Sequence, residues 1–210
     1  YFYAYGKLSG QGKPVIFSVP SGNLGNLCGG ILARKMGLPV AGFIAATNSN
    51  NVVPNYLASG KFSPKPSVST ISNAMDVGNA SNFPRILEMY GQRHDVITNE
   101  ISGFAYADTI TKKIIKKVFD KYDYLLCPHS AIGYLGIHDS MIAKGEDING
   151  IFLSTAHPAK FYNIIQDIIH EDIAFPHSLK VVMTKEKKSF PLSSDYKAFR
   201  EFLLNLHGII

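Results

Sequence analysis

Residues 13–47 read KPVIFSVPSGNLGNLCGGILARKMGLPVAGFIAAT, and three successive patterns within them decide the fold. KPVIFSVP (13–20) is a short apolar run, partly β-branched and closed by Pro20, the mark of a buried strand. LCGGILARKMG (27–37) has helical character, and it ends on Gly37 with Pro39 beyond, as helices commonly stop. PVAGFIAAT (39–47) is a second strand. A strand–helix–strand unit predicts two parallel strands joined by a right-handed crossover.

The rest of the chain extends this pattern. NVVPNYLASG (51–60) predicts a short helix inside a polar, loop-rich segment, 48–82, in which Pro54, Pro64 and Pro66 interrupt longer elements. NFPRILEMYG (82–91) predicts a helix with Pro84 in its first turn. A helix over about 107–121 precedes a strand at YDYLLCP (122–128) and a helix at SAIGYLGIHDSMIAKG (130–145). NGIFLSTA (149–156) is a strand, HPAKFYNIIQDIIHE (157–171) a helix, LKVVMT (179–184) a last strand and DYKAFREFLLNLH (195–207) a last helix. The opening YFYAYGKL resembles the end of a helix whose beginning lies elsewhere. The order predicts an α/β class with a mainly parallel open sheet and helices on both faces.

Composition narrows the function. With 46% hydrophobic and 18% charged residues over 210 positions, the chain is long and apolar enough for a real core. No apolar run approaches the ~20 residues of a membrane helix, so no membrane association is expected. Residues 1–12 lack the parts of a signal peptide, and the two cysteines, Cys28 and Cys127, suggest no disulfide framework. A cytoplasmic location is the expectation. The net charge of +5 is a modest, scattered excess, and its densest cluster is Lys112, Lys113, Lys116 and Lys117. Ile110, Ile114, Ile115, Val118 and Phe119 alternate with them at helical spacing, so the lysines form the wet face of an amphipathic helix. No aromatics interleave to stack bases, so no nucleic-acid partner is expected.

The small-residue turn SGNLGN (21–26) is the first candidate site. The first N–H groups of a helix lack internal partners, and the helix dipole favours an anion there. Gly22 and Gly25 let backbone amides curl around an oxygen, and Asn23 and Asn26 could add donors or cap the helix. An ordinary tight connection uses similar residues, so spacing alone leaves both readings open. The P-loop pattern and the dinucleotide fingerprint G-x-G-x-x-G are absent, and GFIAATNSNN (42–51) offers no acid for a ribose. A compact phosphate such as that of pyridoxal phosphate fits the turn better than a dinucleotide.

Other candidates follow. Ser154 and Thr155 lie at the carboxyl end of a predicted strand, where a hydroxyl could bond a ring nitrogen or simply cap the next helix. Asn79, Ser81, Asn82 and Arg85, in SNAMDVGNASNFPR (72–85), could surround an anion or form a solvated helix entry. Lys160 reads as a surface lysine rather than an imine former, and His129 as a structural histidine or an acid–base group. No metal-ligand spacing and no nucleophile elbow occur.

Four stretches together resemble the threonine synthase family, pyridoxal-phosphate enzymes of the tryptophan-synthase-β fold type. They are SVPSGNLGNLCGGILARKMGLPVAGFIAATNSNNVVPNYLASG (18–60), STISNAMDVGNASNFPRILEMY (69–90), CPHSAIGY (127–134) and STAHPAKF (154–161). The resemblance implies a fold-type-II enzyme that converts O-phosphohomoserine and water to threonine and phosphate. It implies that Gly22, Asn23, Leu24, Gly25 and Asn26 hold the cofactor phosphate, and that Thr155 bonds the pyridine nitrogen. Asn79, Ser81, Asn82 and Arg85 become candidates for the substrate's phosphate. Asn26, Asn51 and Cys127 stand where many members have acids. The family's cofactor-bearing lysine belongs to an amino-terminal half with a small domain, and nothing here matches it. The resemblance therefore implies that residues 1–210 are the carboxyl-terminal part of the large cofactor domain, inactive without the other half. Two other readings stay open: another fold-type-II lyase, such as a serine/threonine dehydratase or a cysteine synthase, or a non-catalytic anion-binding domain.

Overall fold

Val15, Phe17 and Val19 bury on one face of the central sheet and Ile16 on the other, so the first strand alternates between two cores. In a computed structural model of the chain, residues 1–8, 10, 12–144 and 147–206 are described. Gly145 and His207, which end two of the predicted helices, lie outside the described residues. After a short helix α1 (Phe2–Leu8) come β1 (Val15–Pro20), α2 (Gly25–Lys35), β2 (Gly42–Thr47) and α3 (Val52–Ser59). Then follow α4 (Phe83–Met89), α5 (His94–Glu100), β3 (Ile101–Ala105), α6 (Asp108–Tyr122) and α7 (Pro128–Lys144). The series ends with β4 (Asn149–Phe152), a 3-10 turn (Pro158–Phe161), α8 (Tyr162–Ile169), α9 (His177–Met183) and α10 (Tyr196–Leu204).

The four strands form one parallel sheet in the order β3-β2-β1-β4. Ile16 pairs with Gly42 on one side of β1 and with Gly150 on the other. The apolar faces of α2 to α5 pack with Phe17 and Phe43 into one core. Those of α6, α7 and α8 pack with Ile16, Ile44 and Ala46 into the second. The helices therefore cover both faces, as expected for a parallel sheet. Close approach of α7 depends on Gly136, where a Cβ would lie 2.6 Å from Ser18 Oγ.

Four elements differ from the sequence expectation. YDYLLCP forms no strand: residues 124–127 connect α6 to α7 without ladder bonds, although Leu126 and Cys127 are buried. Its apolar run encodes burial, which a strand shares with any core segment. LKVVMT lies largely in helix α9 rather than in a strand. A strand needs a neighbour for its backbone bonds, and the described part of the unit Ala174–Ile210 contains no strand. Helix formation satisfies those groups internally. Conversely, α5 and β3 carry no clear periodicity, and β3 is an edge strand only partly buried along its length.

The chain divides into a unit of Tyr1–Ile173 and a unit of Ala174–Ile210. The second contains α9 and α10. Asp195 caps α10 by accepting from Ala198 N at 3.0 Å, and Phe190 and Phe202 lie 5.5 Å apart.

Candidate cofactor and substrate site

The connection from β1 runs to β2 on one side, while β4 pairs on the other side, so the strand order switches at β1. In open α/β sheets the crevice beyond the carboxyl ends of strands at such a switch collects ligands. Ser21 to Gly25 leave β1 at that edge, and Leu153 to Thr155 leave β4 there. The topology thus brings two predicted site segments, far apart in sequence, to neighbouring strand ends.

The turn is held from within. Leu24 adopts a left-handed conformation, φ 64°, and its N–H donates to Ser21 Oγ at 3.0 Å. Ser21 Oγ donates to Asn26 Oδ1 at 2.6 Å, and that oxygen also accepts from Leu27 N at 3.0 Å. Asn26 Nδ2 donates to Pro20 O at 2.9 Å. The Asn26 side chain is therefore spent on the turn, and Leu24, its side chain fully buried, shapes the backbone. Among the described residues, the backbone N–H groups of Gly22, Asn23, Gly25 and Asn26 meet no acceptor. Four such donors at the start of an eleven-residue helix, with no acid in the turn, suit an anion. This donor set fits a phosphate monoester such as that of pyridoxal phosphate.

The Asn/Ser segment docks on this turn. Asn82 Nδ2 donates to Asn23 O at 2.9 Å, while Asn23 Oδ1 accepts from Ser81 N at 2.6 Å and from Ser81 Oγ at 3.0 Å. Arg85 donates from its guanidinium to Asn82 Oδ1. Arg85 also lies close enough to Cys28 to oppose the burial that pushes that thiol's pKa up. Ser81, Asn82 and Arg85 thus join the turn, whereas Asn79 is exposed on the preceding bend.

At the β4 end, Ser154 Oγ lies 3.3 Å from Ser130 Oγ, and Thr155 is exposed. The following 3-10 turn is capped by His157, whose Nδ1 accepts from Ala159 N at 3.1 Å. Thr155 is thus not that turn's cap. Lys160 is exposed, with Nζ 5.7 Å from the centre of the Phe161 ring. Cys127 sits just before α7, and its Sγ accepts from Ser130 N at 3.4 Å, the position of a helix-capping side chain. His129 is buried, with no partner on either ring nitrogen among the described residues. Burial, then the charge of Lys160, lowers its pKa; Asp76 opposes this.

Two features of the site were missed from sequence. Asn48 and Asn50 follow β2 at the same edge and point their side-chain amides at Asp76 Oδ1, at 2.8 and 3.2 Å. Thr70 donates to both carboxylate oxygens, at 2.7 Å from Oγ1 and 3.0 Å from N. This network supports Met75, whose backbone packs against Gly22. Its sequence signal is that Asp76 is the one acid in residues 48–82. The second feature is Tyr1, whose hydroxyl donates to Asn26 O at 2.6 Å while its ring packs 5.0 Å from Phe17.

Comparison with known proteins finds a matching family model, sequence relatives and solved structures. Residues 130–203 match the family described as "Threonine synthase, C-terminal". A threonine synthase from Buchnera aphidicola subsp. Schizaphis graminum is 41% identical over 97% of the chain, which covers 47% of that relative. The crystal structure of threonine synthase from Escherichia coli superposes with a TM-score of 0.85 at 37% identity, covering 98% of this chain and 47% of that one. The PLP-bound threonine synthase from Brucella melitensis gives a TM-score of 0.84 at 28% identity, covering 97% and 48%. The chain spans about half the length of the curated relatives it matches. By family model, relatives and fold alike, the chain is similar to the carboxyl-terminal half of threonine synthases.

Proposed function

We propose that these residues form the carboxyl-terminal part of a pyridoxal-phosphate-dependent threonine synthase, acting on O-phosphohomoserine and water to give threonine and phosphate. The observation that carries the reading is the set of four unpartnered amides at Gly22, Asn23, Gly25 and Asn26, docked against Asn82 and Arg85. Bound there, the cofactor supplies an electron sink that lets protons leave carbons near the substrate amine.

The chain's own residues bind and orient. The four amides would hold the cofactor phosphate at the start of α2. The Thr155 hydroxyl, free of capping duty, would serve the ring nitrogen as a neutral partner. A neutral partner leaves that nitrogen less protonated than an aspartate would and so moderates the draw on electrons. Arg85 and the second N–H of the Asn82 amide offer donors for the substrate's phosphate, while Ser81 holds Asn23 beside them, and Arg suits a phosphate because its planar fork matches the oxygens. Asn79 is the outermost member of this set. The reactive lysine and the small domain that grips the substrate carboxylate would come from an amino-terminal half. A cytoplasmic location accords with this reading, and among the described residues no helix is long and apolar enough to cross a membrane.

The test is complementation. This polypeptide alone, supplied with the cofactor and O-phosphohomoserine, should release no phosphate and form no reducible imine near about 410–420 nm. Adding a separately produced amino-terminal half should restore both. Turnover by this chain alone, or an imine trapped on Lys160, would overturn the proposal.

A further inference from the structure

Helix α2 begins at the candidate cofactor turn and ends, roughly 15 Å further along its axis, beside a separate cavity of about 390 Å³. The cavity lies toward the other edge of the sheet. Arg34 donates to Val40 O just before β2, and Glu100 closes α5 just before β3. Its volume is within the range of small-ligand pockets.

The lining carries both signs of charge. Arg34 Nε lies 3.1 Å from Glu100 Oε2, and the Tyr90 hydroxyl donates to the same oxygen at 2.8 Å. Both contacts fall on Oε2, which leaves the other oxygen's lone pairs for a further donor. Lys35 Nζ stands 5.6 Å from the centre of the Tyr90 ring, and Arg93, paired outward with Asp95, completes the rim. Ile31, Met89 and Val96 supply an apolar wall. A simple anion would meet the Glu100 carboxylate, and a simple cation would meet Arg34, Lys35 and Arg93. A molecule with both charges a few ångströms apart and an apolar body satisfies all of them.

We propose that this pocket binds an α-amino acid with an apolar side chain. Its carboxylate lies toward Lys35 and Arg93, its ammonium on Glu100, and its side chain on Ile31, Met89 and Val96. The inference does not depend on the chemistry at the cofactor turn.

Isothermal titration of the full protein with L-leucine and with L-methionine tests it. Two analogues remove one charge each: 4-methylpentanoate lacks the ammonium and 3-methylbutylamine lacks the carboxylate. The amino acids should bind, and each analogue should bind at least about tenfold more weakly. Lys35→Ala, an exposed position, and Glu100→Gln should each weaken the amino acids by a similar factor. Absence of binding up to about 10 mM, equal binding of either analogue, or binding indifferent to Lys35→Ala would overturn the proposal. If Glu100→Gln does not fold, Lys35→Ala and the two analogues still decide it.

Discussion

Asn82 holds Asn23: its amide nitrogen donates to the Asn23 carbonyl at 2.9 Å, so the segment that carries Arg85 is tied to the turn that begins α2. The same side chain accepts from Arg85 through its oxygen. One asparagine therefore sets the distance between two groups of donors, one for each phosphate in the proposed reaction. Asn82→Ala removes both bonds. Each such bond is worth about 1 kcal/mol. In the complete enzyme the substitution should raise KM for O-phosphohomoserine by about tenfold, with a smaller change in cofactor affinity. Steady-state kinetics against a cofactor titration checks this. Unchanged KM would detach Asn82 and Arg85 from the substrate and favour a dehydratase-like reading.

Gly22 sits against backbone. A Cβ there would lie 2.7 Å from Met75 Cα and 2.9 Å from Met75 O, and neither atom can swing aside like a side chain. Gly22→Ala should cost about 1–3 kcal/mol through overpacking and displace the turn. Thermal unfolding should show a lowered Tm, and cofactor affinity should fall with it.

His129 makes stability depend on pH. Its folded-state pKa is lowered by burial and by Lys160, against a partial opposing pull from Asp76, while the unfolded chain returns to about 6.5. Above about 6.5 the imidazole is neutral in both states and its packing contributes fully. As pH falls below that value, the unfolded chain takes up a proton that the fold resists, so stability is lost, by at most about 1.4 kcal/mol per pH unit for one group. Melting curves between about pH 7.5 and 5 should fall more steeply for the native chain than for His129→Gln. Equal slopes would show that the ring takes up its proton in place.

These residues also show what a sequence conveys about such a site. Segments whose local pattern matches their environment were readable: β1, α2 and β2, with a run of β-branched residues, a glycine turn and a helix stop in succession. The turn at Gly22 and Gly25 was readable because its glycines and missing acids are a local signature. The partners of that turn were not readable from spacing, since Tyr1 and Met75 meet it only through the tertiary fold, with Asp76 and Asn48 in the network behind Met75. The runs at 122–128 and 179–184 misled for one physical reason. Apolar and β-branched residues report a preference for burial or extension, whereas a strand also requires a neighbour with free backbone groups. The edge strand β3 escaped notice for the converse reason, because pairing with β2 rather than its own residues defines it.

Thr155 offers a test by chemical degree. Its exposed hydroxyl follows β4, and His157 rather than Thr155 caps the next turn. Thr155→Ser keeps the hydroxyl and Thr155→Ala removes it. In the complete enzyme the serine variant should keep most of kcat, while the alanine variant loses about tenfold, equivalent to ~1.4 kcal/mol. The cofactor's absorption band should shift only in the alanine variant. Equal effects in both would mean that the methyl group packs and the hydroxyl does nothing to the ring.

Asp76 tests whether the buried network governs the turn. Its carboxylate accepts from Asn48, Asn50 and twice from Thr70, and Thr70 Oγ1 lies 3.1 Å from Ser72 Oγ. Asp76→Asn keeps the shape but replaces one acceptor oxygen with a donor, which then faces other donors. A buried group left unsatisfied in this way costs about 1–3 kcal/mol, so the variant should melt lower. Asp76 adjoins Met75, and Met75 presses on Gly22, so the loss should extend to the amides that hold the cofactor phosphate. Cofactor affinity should therefore fall in Asp76→Asn even though Asp76 donates nothing to a phosphate. A negative charge near a phosphate would by itself repel it, so removing that charge should tighten binding if electrostatics dominate. Weaker cofactor binding in Asp76→Asn identifies positioning as the larger effect, and tighter binding would reverse that ranking.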